Sequence, residues 1–447
     1  MVEIIKNIGG NSLRGDVRLP GDKSISHRAA MLLSISEGSA RISNYATGED
    51  CLSTLNALRS LGVEISGTGD EVEIEGSGIA GYKRPLGPID CGNSGTTMRL
   101  LSGLLSVEKF ETVLVGDESL SARPMRRIAV PLSEFGAEIG LQDGRPPIEI
   151  RPARGESELR FKLEVPSAQV KSCILLAGLN GGLKVTVAAS AHSENRSASR
   201  DHTERMLEFL GVSIETKYRP EDDGWVEEIS VSGDGAPIAR DIDVPGDFSS
   251  AAFFLVAAAI VSGSEIRMPN TGLNPTRTAL LEVLEQCGSR IRVENQQTVS
   301  GEPRGDLYAG SLDPARLPTA SVVLGGSRIP NLIDEIPVLS ILGTVLPHGL
   351  VVRGASELRV KESDRIAAVV NNLRQMGASV EEFEDGFAVS RSSLKGAEID
   401  PKNDHRIAMA FAIAGLIAEG ETRILNPSTA DVSFPGFFKI LDTLSMR

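Results

Sequence analysis

Two kinds of hydrophobic segment alternate along the chain. Segments such as GTTMRLLSGLL (95–105) and SSAAFFLVAAAI (249–260) are apolar on nearly all sides, whereas CLSTLNALRSLG (51–62) is apolar on one face only. A helix that is apolar all round is buried, and a helix with one apolar face covers a core. The pattern therefore predicts pairs of helices, of which the first is buried and the second lies at the surface.

Glycines separate these segments from short β-rich runs. Most buried segments pass a glycine into runs such as KVTV (184–187) and TRIL (422–425). The amphipathic segments end at Gly62, Gly136, Gly211, Gly288 and Gly377. A glycine after the last apolar turn is the usual left-handed end of a helix. The alternation predicts an α/β protein of six βαβ-like units, which fits neither a solenoid of shorter repeats nor a (β/α)₈ barrel.

Two near-copies of one segment indicate where the chain divides. LPGDKSISHRAAMLLSI (19–35) recurs as VPGDFSSAAFFLVAAAI (244–260), and the 447 residues exceed the usual reach of one hydrophobic core. The copies place chain crossovers near Leu19 and Asp243. We therefore expect two domains of three units each, formed by residues 20–242 and by residues 1–19 with 243–447.

The two copies differ in their chemistry. The first carries Lys23 and Arg28 where the second has Phe248 and Phe253. Only the first copy is therefore loaded with cations, and the second is interpreted as scaffold. The aspartates that the copies share, Asp22 and Asp247, are predicted to be helix caps.

Composition restricts the class of protein. The formal net charge of −14 argues against nucleic acid as the main partner, and no apolar run approaches the roughly 20 residues of a membrane span. The four cysteines are scattered without a C-x-x-C pair, which favours reduced core residues of a cytoplasmic protein. The five histidines show no metal-binding spacing, so no metal site is predicted.

Cations nevertheless cluster at predicted helix starts. Lys23 and Arg28 open one buried segment, and Asn93, Ser94 and Gly95 precede another. Helix N-termini offer free N–H groups and partial positive charge to anions. Because the G-x-x-x-x-G-K-[ST] pattern of a P-loop is absent, the chain is expected to bind a small anion in a cleft of another kind.

Eight motifs resemble those of a known family. They are, in chain order, LPGDKSISHRA, GNSGTTMRL, GDESLSARPM, SAQVKS, RDHTERM, LIDEIPVL, LRVKESDR and NDHR. Their wording and order resemble the 5-enolpyruvylshikimate-3-phosphate (EPSP) synthase family over nearly the whole chain, and the second class of that family more than the first. The resemblance implies the two-domain enolpyruvyl transferase fold, with three βαβαββ units per domain, buried helices and an active-site cleft between the domains.

The resemblance also implies a reaction and its substrates. The carboxyvinyl group of phosphoenolpyruvate would pass to the 5-hydroxyl of shikimate 3-phosphate and release phosphate, through a tetrahedral intermediate, in the shikimate pathway to aromatic amino acids. No cofactor is expected, the partners are these two anionic substrates, and the chain is expected to be a monomer. Glyphosate, which competes with phosphoenolpyruvate in this family, is an expected inhibitor.

Site residues follow from the resemblance, motif by motif. Phosphoenolpyruvate would be bound by Lys23, Gly95, Arg123, Gln169, Arg365 and Arg406. Shikimate 3-phosphate would be bound by Lys23, Ser24, Arg28, Ser167, Ala168, Gln169, Arg200, Asp334 and Lys361. Both substrates carry carboxylate and phosphate groups, which planar guanidinium groups bind with two hydrogen bonds.

Four of the matching residues are candidates for the chemistry itself. Asp334 matches the family's base at the 5-hydroxyl, and Glu362 matches the acid that protonates the methylene carbon. Lys23 and Lys361 would stabilise developing charge. Alternative interpretations make Asp334 a helix N-cap and Glu362 a solvated surface charge. Asp404 is expected to cap the helix that carries Arg406.

Two rival functions remain at this point. The related UDP-N-acetylglucosamine enolpyruvyl transferases share donor and fold, but they usually carry a cysteine on the loop before their ARP motif, where this chain has GDESLSARP. A non-catalytic anion-binding clamp of the same fold would not need Lys23, Asp334, Glu362 and Lys361 together. One departure from the first class of the family is Val432, which stands where that class has a phosphate-binding lysine.

Overall fold

The structure is a computed structural model of the chain, and it describes residues 2–152, 158–191, 197–221 and 224–445. Contacts divide it into two compact units. The first unit comprises Gly21–Val244 and Thr298–Glu302, and the second comprises Met1–Pro20, Pro245–Gln297 and Pro303–Arg447.

The described residues of the first unit form three four-stranded sheets. Their strands are, in spatial order, Ile242–Asp243, Ser39–Ser43, Glu71–Glu75 and Glu64–Thr68; Ile89–Asp90, Thr112–Val115, Arg145–Arg151 and Glu138–Gln142; and Glu158–Lys162, Lys184–Ala191, Gly224–Val231 and Ile214–Glu221. Its longer helices are the buried Lys23–Ser34, Gly95–Leu105 and Ala168–Gly181, and the outer Glu49–Ser60, Arg126–Glu134 and His202–Phe209, with a short helix at Glu118–Ser121.

The second unit repeats this composition. Its sheets are Ser289–Val299, Glu302–Leu312, Glu265–Gly272 and Arg14–Asp16; Val322–Leu324, Leu350–Val352, Gly386–Val389 and Val380–Phe383; and the three-stranded Val2–Lys6, Glu421–Leu425 and Glu398–Ile399. Its buried helices are Phe248–Ile260, Ile336–Val345 and His405–Gly415, and its outer helices are Ala279–Gln286, Arg365–Gln375 and Phe437–Ser445. Short helical turns lie at Pro314–Arg316, Gly326–Arg328, Ile329–Leu332, Ser356–Val360 and Pro427–Val432.

One strand pattern recurs in all six described sheets. An edge strand runs parallel to its neighbour, which runs antiparallel to the next strand, as in Glu158–Lys162, Lys184–Ala191 and Gly224–Val231. The same order recurs in the other five sheets. The prediction of an α/β fold with six repeated units is therefore confirmed.

Helix ends follow the predicted local chemistry. The carboxylate of Asp22 accepts a hydrogen bond from the Ile25 amide at 2.9 Å, and that of Asp247 accepts one from the Ser249 amide at 3.0 Å. Both aspartates are therefore helix caps, as predicted. Gly62 and Gly377 end their helices with φ of 83° and 81°, a conformation that favours glycine.

Each unit has a hydrophobic core of its own, formed by its buried helices and the inner faces of its sheets. The helix Phe248–Ile260 is buried almost along its whole length, as its all-round apolar sequence predicted. Among the residues that the structure describes, no helix is long and apolar enough to cross a membrane. The buried helices begin at the motifs named above, so their N-termini position the candidate site residues.

Candidate active site

A group of arginines surrounds the start of the helix Gly95–Leu105. Ser94 caps this helix by accepting a hydrogen bond from the Thr97 amide at 3.1 Å. A Cβ atom placed on Gly95 would lie 2.8 Å from Nη1 of Arg99 and 3.2 Å from Nη1 of Arg123. Two guanidinium groups therefore lie directly against a helix N-terminus, which is the arrangement that an anionic group requires.

Gln169 connects this group to the start of the next buried helix. Its Oε1 accepts a hydrogen bond from Nη1 of Arg99 at 2.8 Å, and its Nε2 donates to Oγ1 of Thr96 at 2.9 Å. Gln169 is the second residue of the helix Ala168–Gly181, so the two helix starts lie side by side. We call Gly95, Thr96, Arg99, Arg123 and Gln169 the Gly95 cluster.

Arg123 is held by the loop beside it. Its Nη2 donates to Oδ1 of Asn93 at 2.5 Å and to Oγ of Ser119 at 3.3 Å. Asn93 in turn donates from Nδ2 to Oδ2 of Asp117 at 2.7 Å. The buried guanidinium group is therefore fixed by neutral oxygens, so its positive charge is not cancelled by these contacts.

Arg28 forms a second buried group. Its Nε donates to Oγ1 of Thr203 at 2.8 Å, and its Nη2 donates to Oγ of Ser172 at 2.9 Å. Burial lowers the pKa of Arg28 to about 10, with a further lowering from nearby Arg200 and opposition from Glu204. Arg28 therefore remains a cation at neutral pH and lies close enough to Arg200 for their charges to interact.

The other predicted residues of the first unit adjoin these groups. Lys23 is paired with Asp50 of the outer helix Glu49–Ser60, at 2.8 Å between Nζ and Oδ2. The carbonyl oxygen of Ser24 accepts from Nη1 of Arg28 at 2.9 Å. Ser167 caps its helix through the Val170 amide at 3.5 Å, and the Ala168 carbonyl accepts from Ser172 Oγ at 2.6 Å.

In the second unit, one buried arginine gathers three carboxylates. Nε of Arg365 donates to Oδ2 of Asp404 at 2.8 Å, and Nη2 donates to Oε2 of Glu362 at 2.6 Å. Nη1 of Arg365 also lies 3.4 Å from Oδ1 of Asp334. Burial alone would lower the pKa of Arg365, but these carboxylates raise it above its ordinary value. We call Asp334, Glu362, Arg365, Asp404 and Arg406 the Arg365 cluster.

Arg406 completes this cluster. Its Nη1 donates to the carbonyl oxygen of Asp334 at 3.0 Å, and its Nε lies 3.7 Å from the Asp334 carboxylate. Asp404 caps the helix His405–Gly415 through the Arg406 amide at 3.0 Å, as predicted. Arg406 lies in the first turn of this helix, and the cap Asp404 also binds Arg365. The two arginines therefore lie beside the candidate catalytic carboxylates of Asp334 and Glu362.

The structure argues against one alternative interpretation of each carboxylate, while their catalytic roles stay predictions. The N-cap residue of the helix Ile336–Val345 is Glu335, so Asp334 is not the cap of that helix. Glu362 is an ion-pair partner of Arg365 and not a solvated charge. Lys361 is paired with Glu357 at 3.0 Å and shares the segment that carries Glu362.

Several polar residues that the motifs did not single out belong to these groups. Asp50, Arg99, Ser172 and Thr203 each contact a predicted residue. Arg99 carries a signal in the sequence, because it is a charge inside an otherwise apolar helix.

A buried ion pair lies in the same motifs. Lys171 Nζ is 2.5 Å from Oε1 of Glu204, and both side chains are buried. Burial raises the pKa of Glu204. The pair joins the helices Ala168–Gly181 and His202–Phe209, whose first turns carry Gln169, Ser172 and Thr203.

The chain is similar to known carboxyvinyl transferases in sequence and in fold. The family model of EPSP synthase (3-phosphoshikimate 1-carboxyvinyltransferase) matches residues 8–441. The 3-phosphoshikimate 1-carboxyvinyltransferase of Salinibacter ruber is 46% identical over 97% of this chain and 98% of its own length. That of Solibacter usitatus is 44% identical over 97% and 98%.

Solved structures agree with this assignment. The EPSP synthase of Acinetobacter baumannii has a TM-score of 0.82 and 40% sequence identity, with 99% of this chain and 98% of that chain covered. The chain therefore belongs to the EPSP synthase family. Three predictions from the sequence are therefore confirmed: the family, the fold class and the class of enzyme, which is a transferase.

Proposed function

We propose that this chain transfers the carboxyvinyl group of phosphoenolpyruvate to the 5-hydroxyl of shikimate 3-phosphate. The observation that carries the proposal is the Arg365 cluster, in which two carboxylates are held beside arginines suited to a carboxylate ligand. Asp334 and Glu362 stabilise the buried Arg365, and neither is a helix cap or a solvated surface charge. An enzyme that moves protons requires them.

The Gly95 cluster is the proposed site for the phosphate of phosphoenolpyruvate. Arg123 and the helix start at Gly95 offer N–H donors in a buried setting, and Gln169 fixes Arg99 beside them. Lys23 supplies a further positive charge. Arg365 and Arg406 are proposed to bind the carboxylate of the same substrate through their guanidinium groups.

Arg28 and its surroundings are the proposed site for shikimate 3-phosphate. Arg28 and Ser24 would receive the carboxylate of this substrate. Its phosphate would be bound by Arg200 and by the first turn of the helix Ala168–Gly181. The residues of that turn are Ser167, Ala168 and Gln169. The helix start supplies amide N–H groups, which suit a phosphate as well as a carboxylate.

Proton transfer is assigned to the two carboxylates. Asp334 would take the proton of the 5-hydroxyl of shikimate 3-phosphate while the hydroxyl oxygen attacks the enol carbon of phosphoenolpyruvate. Glu362 would protonate the methylene carbon. The Glu362 carboxylate would then take back a proton from the new methyl group as the bond to phosphate breaks, which restores the double bond and releases phosphate. Lys23 and Lys361 would stabilise the charge that develops on the oxygens. Positioned proton transfer of this kind accelerates a reaction by about 10²–10⁴.

The finer details of the setting belong to the same proposal. We propose that residues 20–242 and residues 1–19 with 243–447 act as the two domains, and that the protein works as a cytoplasmic monomer without a cofactor. The nucleotide-sugar transferase is disfavoured, because the loop GDESLSARP contains no cysteine and because Arg28 and the Ala168 helix start suit a compact dianion.

A pair of arginine variants tests the assignment of the two substrates. Arg28→Met should raise KM for shikimate 3-phosphate at least tenfold more than KM for phosphoenolpyruvate, and Arg123→Met should do the reverse, since a lost charge-assisted hydrogen bond is worth roughly 1.5–3 kcal/mol. Steady-state phosphate release at varied concentrations of each substrate gives both constants. Parallel rises of both KM values in both variants would refute the assignment.

A further inference from the structure

The second copy of the repeated segment contributes one residue, Ser249, to a buried chain of polar contacts. Ser249 occupies in that copy the position of Ser24 in the first copy. Its hydroxyl donates to Oε1 of Glu335 at 2.6 Å and accepts from Nη2 of Arg277 at 2.6 Å. Cation, hydroxyl and carboxylate therefore form a continuous chain that ends one residue from Asp334.

All three members of this chain are buried, which makes their contacts energetically important. Glu335 is 1% exposed and Arg277 is 3% exposed. A buried charge without a partner is strongly disfavoured, so the chain is held together. Asp247 lies 3.6 Å from Nη2 of Arg277 and adds a second acidic contact.

Glu335 is anchored through its backbone as well as its side chain. Its amide donates to the Leu332 carbonyl at 2.8 Å, and its carbonyl accepts from the Leu339 amide at 3.0 Å. The neighbouring carbonyl of Asp334 accepts from Arg406. The Asp334 carboxylate lies 3.4 Å and 3.7 Å from the nearest nitrogens of Arg365 and Arg406. The residue that directly precedes Glu335 in the chain therefore places its carboxylate beside both arginines.

We propose that Ser249, Arg277 and Glu335 form a positioning group that sets the orientation of the Asp334 carboxylate for proton transfer. This inference rests on the proposed role of Asp334. The side chain of Glu335 points into the protein and fixes the turn before the helix Ile336–Val345, which directs the preceding side chain toward Arg365 and Arg406. A carboxylate that is misplaced by about 1 Å loses much of its rate advantage.

The test uses the full-length enzyme, the reference variant Asp334→Asn and four further variants. Ser249→Ala removes the hydroxyl that joins Arg277 to Glu335, and Ser249→Thr restores a hydroxyl. Ser250→Ala is the matched control, because Ser250 lies on the same turn and donates to Asp247 at 2.8 Å rather than to Glu335. Ser249→Ala is also combined with Asp334→Asn. Thermal unfolding confirms that each variant is folded before kcat and both KM values are measured.

We expect Ser249→Ala to lower kcat about tenfold and to change both KM values by less than about twofold. The reason is that the positioning group acts on Asp334, whose contribution is made in the transition state and not in substrate binding. Ser249→Thr should recover most of kcat, and Ser250→Ala should stay near the wild type. In the Asp334→Asn background, Ser249→Ala should change kcat by less than about twofold, because no base remains to be positioned.

Two outcomes would contradict the inference. Only the second would also contradict the assignment of Asp334 as the base. Suppose first that Asp334→Asn lowers kcat by two or more orders of magnitude. If Ser249→Ala then matches Ser250→Ala, or lowers kcat by the same factor in the Asp334→Asn background as in the wild type, the positioning group is wrong and the base assignment stands. If Asp334→Asn itself turns over at nearly the normal rate, the assigned role of Asp334 is wrong and this inference is wrong with it.

Discussion

At the scale of single residues, two of the candidate arginines show how partners from distant parts of the chain position a side chain. Arg28 contacts Thr203 and Ser172, and Arg365 contacts Asp404. The motifs identified the arginines because charges inside apolar segments are visible in the sequence. Their partners were mostly not predictable, since a neutral serine or threonine in a helix carries no local signal of what it contacts.

The variant Asp334→Asn tests the proposed base most directly. Asp334→Asn removes the negative charge but keeps the shape of the side chain, so turnover should fall by two or more orders of magnitude, about the share of rate that a positioned base supplies. Binding of shikimate 3-phosphate, measured by calorimetry, should persist. Asp16→Asn is the control, because Asp16 is an exposed partner of Arg267. Near-normal turnover of Asp334→Asn would exclude it as the base.

Gly95 makes a second prediction at this scale. An added methyl group would press on the ends of Arg99 and Arg123, so these hydrogen-bonded guanidinium groups would have to shift. Glyphosate is longer than phosphoenolpyruvate and has less spare room, so Gly95→Ala should raise the glyphosate inhibition constant by a larger factor than KM for phosphoenolpyruvate. Gly87→Ala is the control, since a Cβ there meets no atom within 4 Å. Equal rises, or none, would show that Gly95 does not line the donor site.

At the scale of elements, the sequence predicted the helices well because their signals are local. All-round apolar segments became buried helices, and Gly62, Gly136, Gly211, Gly288 and Gly377 follow outer helices with positive φ. The sequence did not predict how helices are joined inside the core. Asn180 of the helix Ala168–Gly181 donates to the Leu104 carbonyl at 2.8 Å and to Oε1 of Glu108 at 3.0 Å.

This junction gives a prediction of pH dependence. Burial raises the pKa of Glu108, with partial opposition from its hydrogen bond to Asn180. A carboxyl whose pKa is raised on folding stabilises the fold below its unfolded pKa of about 4.3, and this stability is lost as pH rises through the folded value. Glu108→Gln keeps an acceptor for Asn180 without the charge. Its melting temperature relative to the wild type should therefore increase between about pH 4 and pH 7. A difference that is constant with pH, or decreases, would contradict the assigned shift.

At the scale of the whole molecule, two features of the sequence combine. The chain is acidic overall, with a formal net charge of −14, yet it buries Arg28, Arg99, Arg123, Arg365 and Arg406. The repeat predicted two sets of three units, each with its own core. The sequence did not show that the segment Thr298–Glu302 belongs to the first unit. It contacts that unit through residues far away in the chain, for example through Oε1 of Glu302, which lies 2.7 Å from Nδ1 of His202.

The central claim is that the Gly95, Arg28 and Arg365 groups serve one transfer reaction. Phosphate release from phosphoenolpyruvate, measured with purified protein and each of two acceptors, tests it most directly. The account predicts release that requires shikimate 3-phosphate, with one enolpyruvyl ether of that acceptor formed for each phosphate. No release with shikimate 3-phosphate, or release with UDP-N-acetylglucosamine instead, would contradict it.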